Sequence, residues 1–457
     1  SYRRFQQLHE QTRSGRENTH LFRDIKIVKQ EDVMGVFNFI INEIFGQGAI
    51  FIALIACIGL ILQKKSFSEI IRGTVMTAVG FFILSTGTGL ITGSSIDGIS
   101  TAFNTIVPRA VESKTVDIGT MYGTEIGIVM IAAFAINLFI ARFTRWKSIF
   151  LTGHMLYWFP YVFIAAGVDA GLTGGKLIIL AAAFTALYMV VSPNLMRPFV
   201  KKVTGDDSFT IGHPTTCLSV LSGLLGRAVG NKEKSTEDLK IPSSLGFLRE
   251  IAITGSFAIA VTYIVMYCIL IANGYDPAQV WEYAEGKTGI FTYIFTHAIY
   301  FGVGITIMLQ GVRMLIAEIV PAFKGIADKF VPNAIPALDV PVIFPYAPNA
   351  LVIGFLVAMV TSIITILLTA GMFPTVVIPL VSTCFFEIGC AAIIGNATGG
   401  VRGCVIGAAV SGIIMVFLVG FGSYFFNNTI QQWMLVYGGQ DFSLWGIIEG
   451  LIARLIG

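Results

Sequence analysis

The chain has 457 residues, 55% of them hydrophobic and 12% charged, with a formal net charge of +3. Soluble domains carry roughly 25% charged residues, so an ordinary water-soluble fold is excluded. A charge this small, spread through loops, offers no basic face for a nucleic acid, and none is expected as a partner.

Residues 1–33 are polar, with Arg3, Arg4, Arg13, Arg16, Arg23, Lys26 and Lys29 against five acids, and lack the apolar core of a signal peptide. The expectation is an upstream or non-native segment without a transport role, the functional chain starting near Met34. Apolar runs then recur near 48–63, 73–93, 123–141, 149–168, 176–193, 250–274, 290–316, 349–371, 374–395, 403–425 and 442–456. Backbone polar groups in lipid must be paired internally, so runs that approach ~20 residues read as helices crossing a hydrocarbon core of ~30 Å. The predicted fold class is therefore an all-α polytopic membrane protein of about eleven spans, in contact with lipid. Cys57, Cys217, Cys268, Cys384, Cys390 and Cys404 form no CxxC pair and read as small core residues.

Lys and Arg alternate between loops. Lys64, Lys65 and Arg72 follow the first run, Arg142, Arg145 and Lys147 the third, a long basic segment the fifth, and Lys324 and Lys329 the seventh. The positive-inside rule places those loops and the C-terminus in the cytoplasm. Sliding the sequence on itself by 224 puts Gly87 on Gly311, Val107-Pro108 on Val331-Pro332 and Tyr122 on Tyr346. A shift of 225 puts Thr173-Gly174-Gly175 on Thr398-Gly399-Gly400. Two copies of five spans each enter the membrane from opposite sides, as in the inverted repeats of transporters whose sites lie between copies. Chance matches between glycine-rich helices are the alternative. The organisation read here is 1–33, a first repeat over 34–198, a cytoplasmic amphipathic linker over 199–248, a second repeat over 249–425 and a terminal span over 426–457.

No Walker A motif, HExxH or nucleophile elbow is present, so neither an independent catalytic centre nor a metal or cofactor is expected. Polar groups in apolar or Gly/Pro-broken surroundings are the candidates, because they are costly there. His154 follows Leu151-Thr152-Gly153 beside Tyr157, and His213 follows Thr210-Ile211-Gly212. Either is a hydrogen-bonding or proton-exchanging group, or a histidine satisfied at a helix end. His297, without a glycine beside it, reads as a packed helix residue. Asp339, Tyr346 and Asn349 lie among Pro336, Pro341, Pro345 and Pro348, which forbid a continuous helix. They suit a re-entrant hairpin lining a cavity, or an ordinary turn-rich loop. Glu387, in an apolar run ahead of a glycine-rich second tip at 395–400, would face a cavity or pair with a cation such as Arg402. Thr86 and Gly87 in Ser85-Thr86-Gly87-Thr88-Gly89, and Gln310 in Gln310-Gly311-Val312-Arg313, offer polar groups or close helix packing.

Together Leu151-Thr152-Gly153-His154, Ile211-Gly212-His213, Glu237-Asp238-Leu239-Lys240-Ile241-Pro242, Gln310-Gly311-Val312-Arg313-Met314 and Tyr346-Ala347-Pro348-Asn349-Ala350 resemble the ascorbate-type enzyme IIC permease of the bacterial phosphotransferase system. The likeness runs from about Met34 to the C-terminus. It implies a homodimer in the bacterial inner membrane, with V-motif and core domains. It also implies transport of L-ascorbate or a related sugar, sugar acid or polyol, coupled to phosphorylation by a cytosolic IIB partner carrying a phosphocysteine. His154, His213 and Asp339 match substrate contacts of that family, and Asp339 or His213 is the candidate base. Where the ascorbate pattern has glutamines, this sequence has Tyr157 with Trp158, and Pro214, which points to altered substrate preference. The competing expectation is an ion-coupled secondary transporter with Glu387 and Asp339 as proton carriers.

Overall fold

The computed structural model describes residues 47–457 apart from 107–117, 154, 232, 240–249, 284–287, 370, 374–376, 378–379, 431–432 and 435–437, together with Gly35, Phe39 and Glu43. The segment 1–33 and His154 lie outside the described residues. Twelve helices and three short strands organise the rest: α1 (Gly48–Leu62), α2 (Phe67–Ile91), α3 (Asp97–Ile106), α4 (Gly123–Phe143), β1 (Ser148–Phe150), α5 (Met155–Asp169), α6 (Gly174–Thr204), β2 (Thr210–Ile211), α7 (Thr216–Val229), α8 (Ile251–Ala272), α9 (Ile290–Lys329), β3 (Ile335–Leu338), α10 (Pro348–Leu368), α11 (Val381–Phe426) and α12 (Asp441–Ile456). A few single turns join them.

Seven of these helical segments are long and apolar enough to cross a membrane: those in α2, α4, α6, α8, α9, α10 and α11. α1, α5 and α7 are shorter apolar helices. The outer surface is apolar as well, with Phe139, Phe143, Phe257, Val261, Leu367 and Leu368 all exposed. Large apolar side chains exposed in this number fit hydrocarbon rather than water. Of the cysteines, Cys384, Cys390 and Cys404 are buried as expected, whereas Cys268 is exposed on the apolar face of α8.

Two packing groups share the chain. In one, α2 runs along α9, with α1 and α8 against that pair. The α2–α9 crossing is close because glycine stands at the contact on both sides: a Cβ on Gly87 would overlap the backbone of Met308 and Gly304, and one on Gly311 the backbone of Leu84. In the other, α7 and α10 pack on α11, while α5, α6 and α12 pack against one another and against α4 or α11.

α11 has 46 residues, about 69 Å if straight and twice the hydrocarbon thickness. It is not straight: Gly400, at φ 60° and ψ −153°, breaks it. Only glycine reaches that conformation without strain. The two arms fold back until Gly395 and Gly403 touch, forming the tip expected at 395–400.

The proline-rich segment also departs from α-helix. Residues Ile335–Leu338 are extended and Val340–Tyr346 form a 3-10 helix before α10 begins with Pro348 in its first turn. Its strand is the centre of a small parallel sheet, ordered β1-β3-β2. Ser148 pairs with Ile335, Phe150 with Ala337, Thr210 with Ala337 and Ile211 with Leu338. Strands this short are held by side chains around them. Asn137 of α4 accepts from Phe150 N (3.0 Å) and donates to the Ser148 and Met189 carbonyls (3.1 and 3.3 Å). The Met189 carbonyl lacks its helical donor because Pro193, four residues on, has no N–H. The Thr210 hydroxyl donates to the Pro193 carbonyl (2.9 Å), fastening β2 to α6.

Candidate functional site

Because the three strands are parallel and in register, their C-terminal ends emerge together. Leu151-Thr152-Gly153 follows β1, Gly212-His213 follows β2, and Asp339 follows β3. Backbone bonds continue the pairing past the strands: Leu151 N to the Ala337 carbonyl (2.9 Å) and Gly212 N to the Leu338 carbonyl (2.8 Å). The Thr152 hydroxyl also donates to the Ala337 carbonyl (3.3 Å). The sheet thus gathers motifs that are distant in sequence.

His213 is the hub. Its Nδ1 lies 2.6 Å from Oδ1 of Asp339 and its Nε2 3.1 Å from Oε1 of Glu387. The side chains of His213, Asp339 and Glu387 are 9%, 16% and 7% exposed, so Asp339 is the member most open to solvent. Asp339 Oδ1 also accepts from Val340 N (2.8 Å), which orients the carboxylate at the start of the 3-10 helix. Glu387 lies on the first arm of α11, and its backbone carbonyl accepts from the Thr215 hydroxyl (2.8 Å). The partner of Glu387 is therefore His213 rather than Arg402. Gly400 reverses the chain between Glu387 and Arg402 and puts them on different arms.

His213 precedes α7 and lies outside the spanning helices. Burial opposes charge on its imidazole, but the adjacent Asp339 carboxylate, seconded by Glu387, more than offsets this and raises the pKa from 6.5 to about 9. With a proton on each nitrogen the ring donates to both carboxylates, leaving one imidazolium between two acids.

The remaining sequence candidates are placed elsewhere. Tyr157 packs edge-on against Trp158 and near Tyr161 on α5. Thr86 is exposed on α2 and its hydroxyl donates to its own helix at Phe82 (2.8 Å); Gly87 forms the α2–α9 contact; Gln310 is exposed on α9. Tyr346 is 42% exposed, with its ring 6.2 Å from that of Phe209. His297 Nδ1 donates to the Tyr293 carbonyl (2.8 Å), as a packed helix residue should. An open groove of about 470 Å³ between α8 and α9 is apolar, with Ser256 and Thr306 its polar side chains, and contains none of the His213 centre.

Two motifs without an assigned purpose meet at the start of α10. Glu237 accepts from Asn349 N (3.2 Å) and Ala350 N (3.0 Å), two of the donors a helix start leaves unpaired. Asn349 Nδ2 returns a bond to the Thr236 carbonyl (3.4 Å), and Asn396 at the α11 tip accepts from Thr236 N (2.9 Å). Sequence reasoning also missed Tyr188 and Asp441, whose carboxylate is buried beside the His213 turn. The one available signal for Asp441 was an acid at the edge of the last apolar run.

Apolar spans around a buried histidine–carboxylate centre, with broken backbone beside it, make this a polytopic membrane protein built to handle a polar solute. The chain belongs to the EIIC-GAT family, the PTS system sugar-specific permease component, whose pattern matches residues 43–438. Membership brings a sugar as substrate and a IIB protein of the phosphotransferase system as partner. Among similar proteins is the ascorbate-specific PTS system EIIC component of Mycoplasma pneumoniae (strain ATCC 29342 / M129 / Subtype 1). It is 24% identical over 465 residues, covering 89% of this chain and 70% of the relative.

Proposed function

We propose that the chain binds L-ascorbate or a related sugar, sugar acid or polyol and carries it across the membrane while a IIB phosphocysteine phosphorylates it. The observation that carries this reading is the His213–Asp339–Glu387 centre, where one imidazole is held between two buried carboxylates at the ends of three parallel strands. Phosphoryl transfer asks the protein mainly for positioning and for removal of the attacking hydroxyl's proton. Asp339, the most exposed member, is the base: it takes the proton as the sugar oxygen bonds to phosphorus and the phosphorus–sulfur bond breaks, leaving the thiolate on IIB. His213 holds Asp339 in place and stabilises its charge.

Eleven spans follow if α1, α5 and α12 cross with the seven long segments and the arms of α11 count separately. An inverted repeat is supported by the matching offsets of α4 and α10, and by Gly87 and Gly311 facing across one crossing. The multi-pass chain is assigned to the bacterial inner membrane as a homodimer with a cytoplasmic C-terminus, the basic loops lying inside.

A binding panel of ascorbate, pentoses, hexitols and sugar acids separates the candidate substrates. Proteoliposomes test the coupling. Phosphate ester should accumulate only when phosphorylated IIB is present on the product side; unmodified sugar accumulating without IIB would instead establish ion-coupled transport through Asp339 and Glu387.

A further inference from the structure

Asp441 begins α12 and is completely buried, 228 residues from His213 along the chain. Its carboxylate accepts from Thr216 N (2.7 Å), Cys217 N (2.8 Å) and the Tyr188 hydroxyl (2.7 Å). Its own N–H donates to the Pro214 carbonyl (3.1 Å). The Tyr188 hydroxyl also lies 3.2 Å from the His213 carbonyl, so it spans the turn and the acid. Every residue from His213 to Cys217 except Thr215 is thus bonded to Asp441 or Tyr188.

Thr216 and Cys217 open α7, and their N–H groups have no acceptor within the helix. A local cap would suffice for stability, and Thr215 stands in the capping position. Its hydroxyl is turned away instead, to Ser219 (2.8 Å) and the Glu387 carbonyl (2.8 Å). The cap is imported from α12 as a carboxylate whose burial is costly unless fully bonded. Such an arrangement fixes the position of a turn, which a local cap does not.

We propose that Asp441, together with Tyr188, is a positioning residue that holds the His213 turn so that the imidazole meets both Asp339 and Glu387. Its consequence for transport rests on the function proposed above; the geometric claim does not. Among the described residues, the imidazole meets Asp339 after β3 and Glu387 on α11, while Tyr188 on α6 and Asp441 on α12 bond the backbone of its turn. Tyr188 stacks on Phe159 (3.8 Å between ring centres), so removing only its hydroxyl leaves the packing in place.

The test is an NMR titration of the full chain, ¹⁵N-labelled at histidine, in detergent micelles, with the His213 signal assigned by its loss in His213→Gln. The unmodified chain should hold both ring protons until about pH 9. Asp441→Asn and Tyr188→Phe should each lower the midpoint by about one unit or more, a tenfold loss of proton affinity. Tyr188→Phe changes no charge at neutral pH, so a shift there reports displaced geometry, and it decides the matter if Asp441→Asn does not fold. An unchanged midpoint in folded Tyr188→Phe overturns the proposal. The titration needs neither sugar nor IIB, so failure of phosphoryl-coupled transport would leave it standing, and a failed titration would leave transport standing.

Discussion

Nδ1 of His213 lies 2.6 Å from Oδ1 of Asp339, although 126 residues of chain separate them. The contact exists because β2 and β3 are parallel and paired, with Ile211 opposite Leu338, so the residues that follow leave the sheet at one edge. A strand pairing of two residues sets the geometry of a buried ionisable centre.

Asp339→Asn keeps the shape of this centre and removes its base. Sugar uptake with phosphorylated IIB should fall by about 100-fold or more, while gel filtration shows the same particle as the unmodified protein. Near-normal uptake would remove Asp339 from the reaction.

His213 makes stability depend on pH. Folding raises the imidazole pKa from 6.5 to about 9, so the folded state holds this proton more tightly than the unfolded chain does. The contribution is fully present below about pH 6.5 and is lost as pH rises through about 9. Thermal unfolding in detergent should show Tm falling from pH 6.5 to 9.5, with a flatter profile in His213→Gln. Equal slopes in the two proteins would contradict the assignment.

Glu237→Ala removes the carboxylate that caps α10 at Asn349 and Ala350. The expected loss is about 1 kcal/mol of stability, read as a lower Tm. Asp238→Ala is the control, since the capping bonds run to Glu237, and should leave Tm almost unchanged.

Gly311→Val places a branched side chain against the backbone of α2 at Leu84. Overpacking of this kind costs about 1–3 kcal/mol. The yield of folded protein should drop, and any protein recovered should bind sugar with ordinary affinity. A large rise in Kd without loss of stability would return the α2–α9 crossing to the substrate site.

The helical, membrane-spanning character was legible because lipid imposes it on composition and run length, and each of the eleven apolar runs contains or overlaps a helix. The break at Gly400 and the non-helical path from Pro336 to Pro348 were legible for the same local reason: glycine and proline constrain their own backbone. His213, Asp339 and Glu387 can each be singled out, yet for Glu387 the sequence offers only a cavity or a cation such as Arg402, not His213. Sequence distance says nothing about which partner a fold-back supplies. The sheet was hidden because β1 reads as the start of a span and β2 has only two residues. Asp441 and Tyr188 were hidden because their role consists wholly of bonds to a turn far away in the chain.

The most direct measurement is a single turnover in proteoliposomes loaded with the sugar chosen by the binding panel and mixed with ³²P-phosphorylated IIB. Label should move from the IIB cysteine to the sugar with the unmodified protein and fail to move with Asp339→Asn. Unphosphorylated sugar crossing at full rate while the label stays on IIB would contradict it.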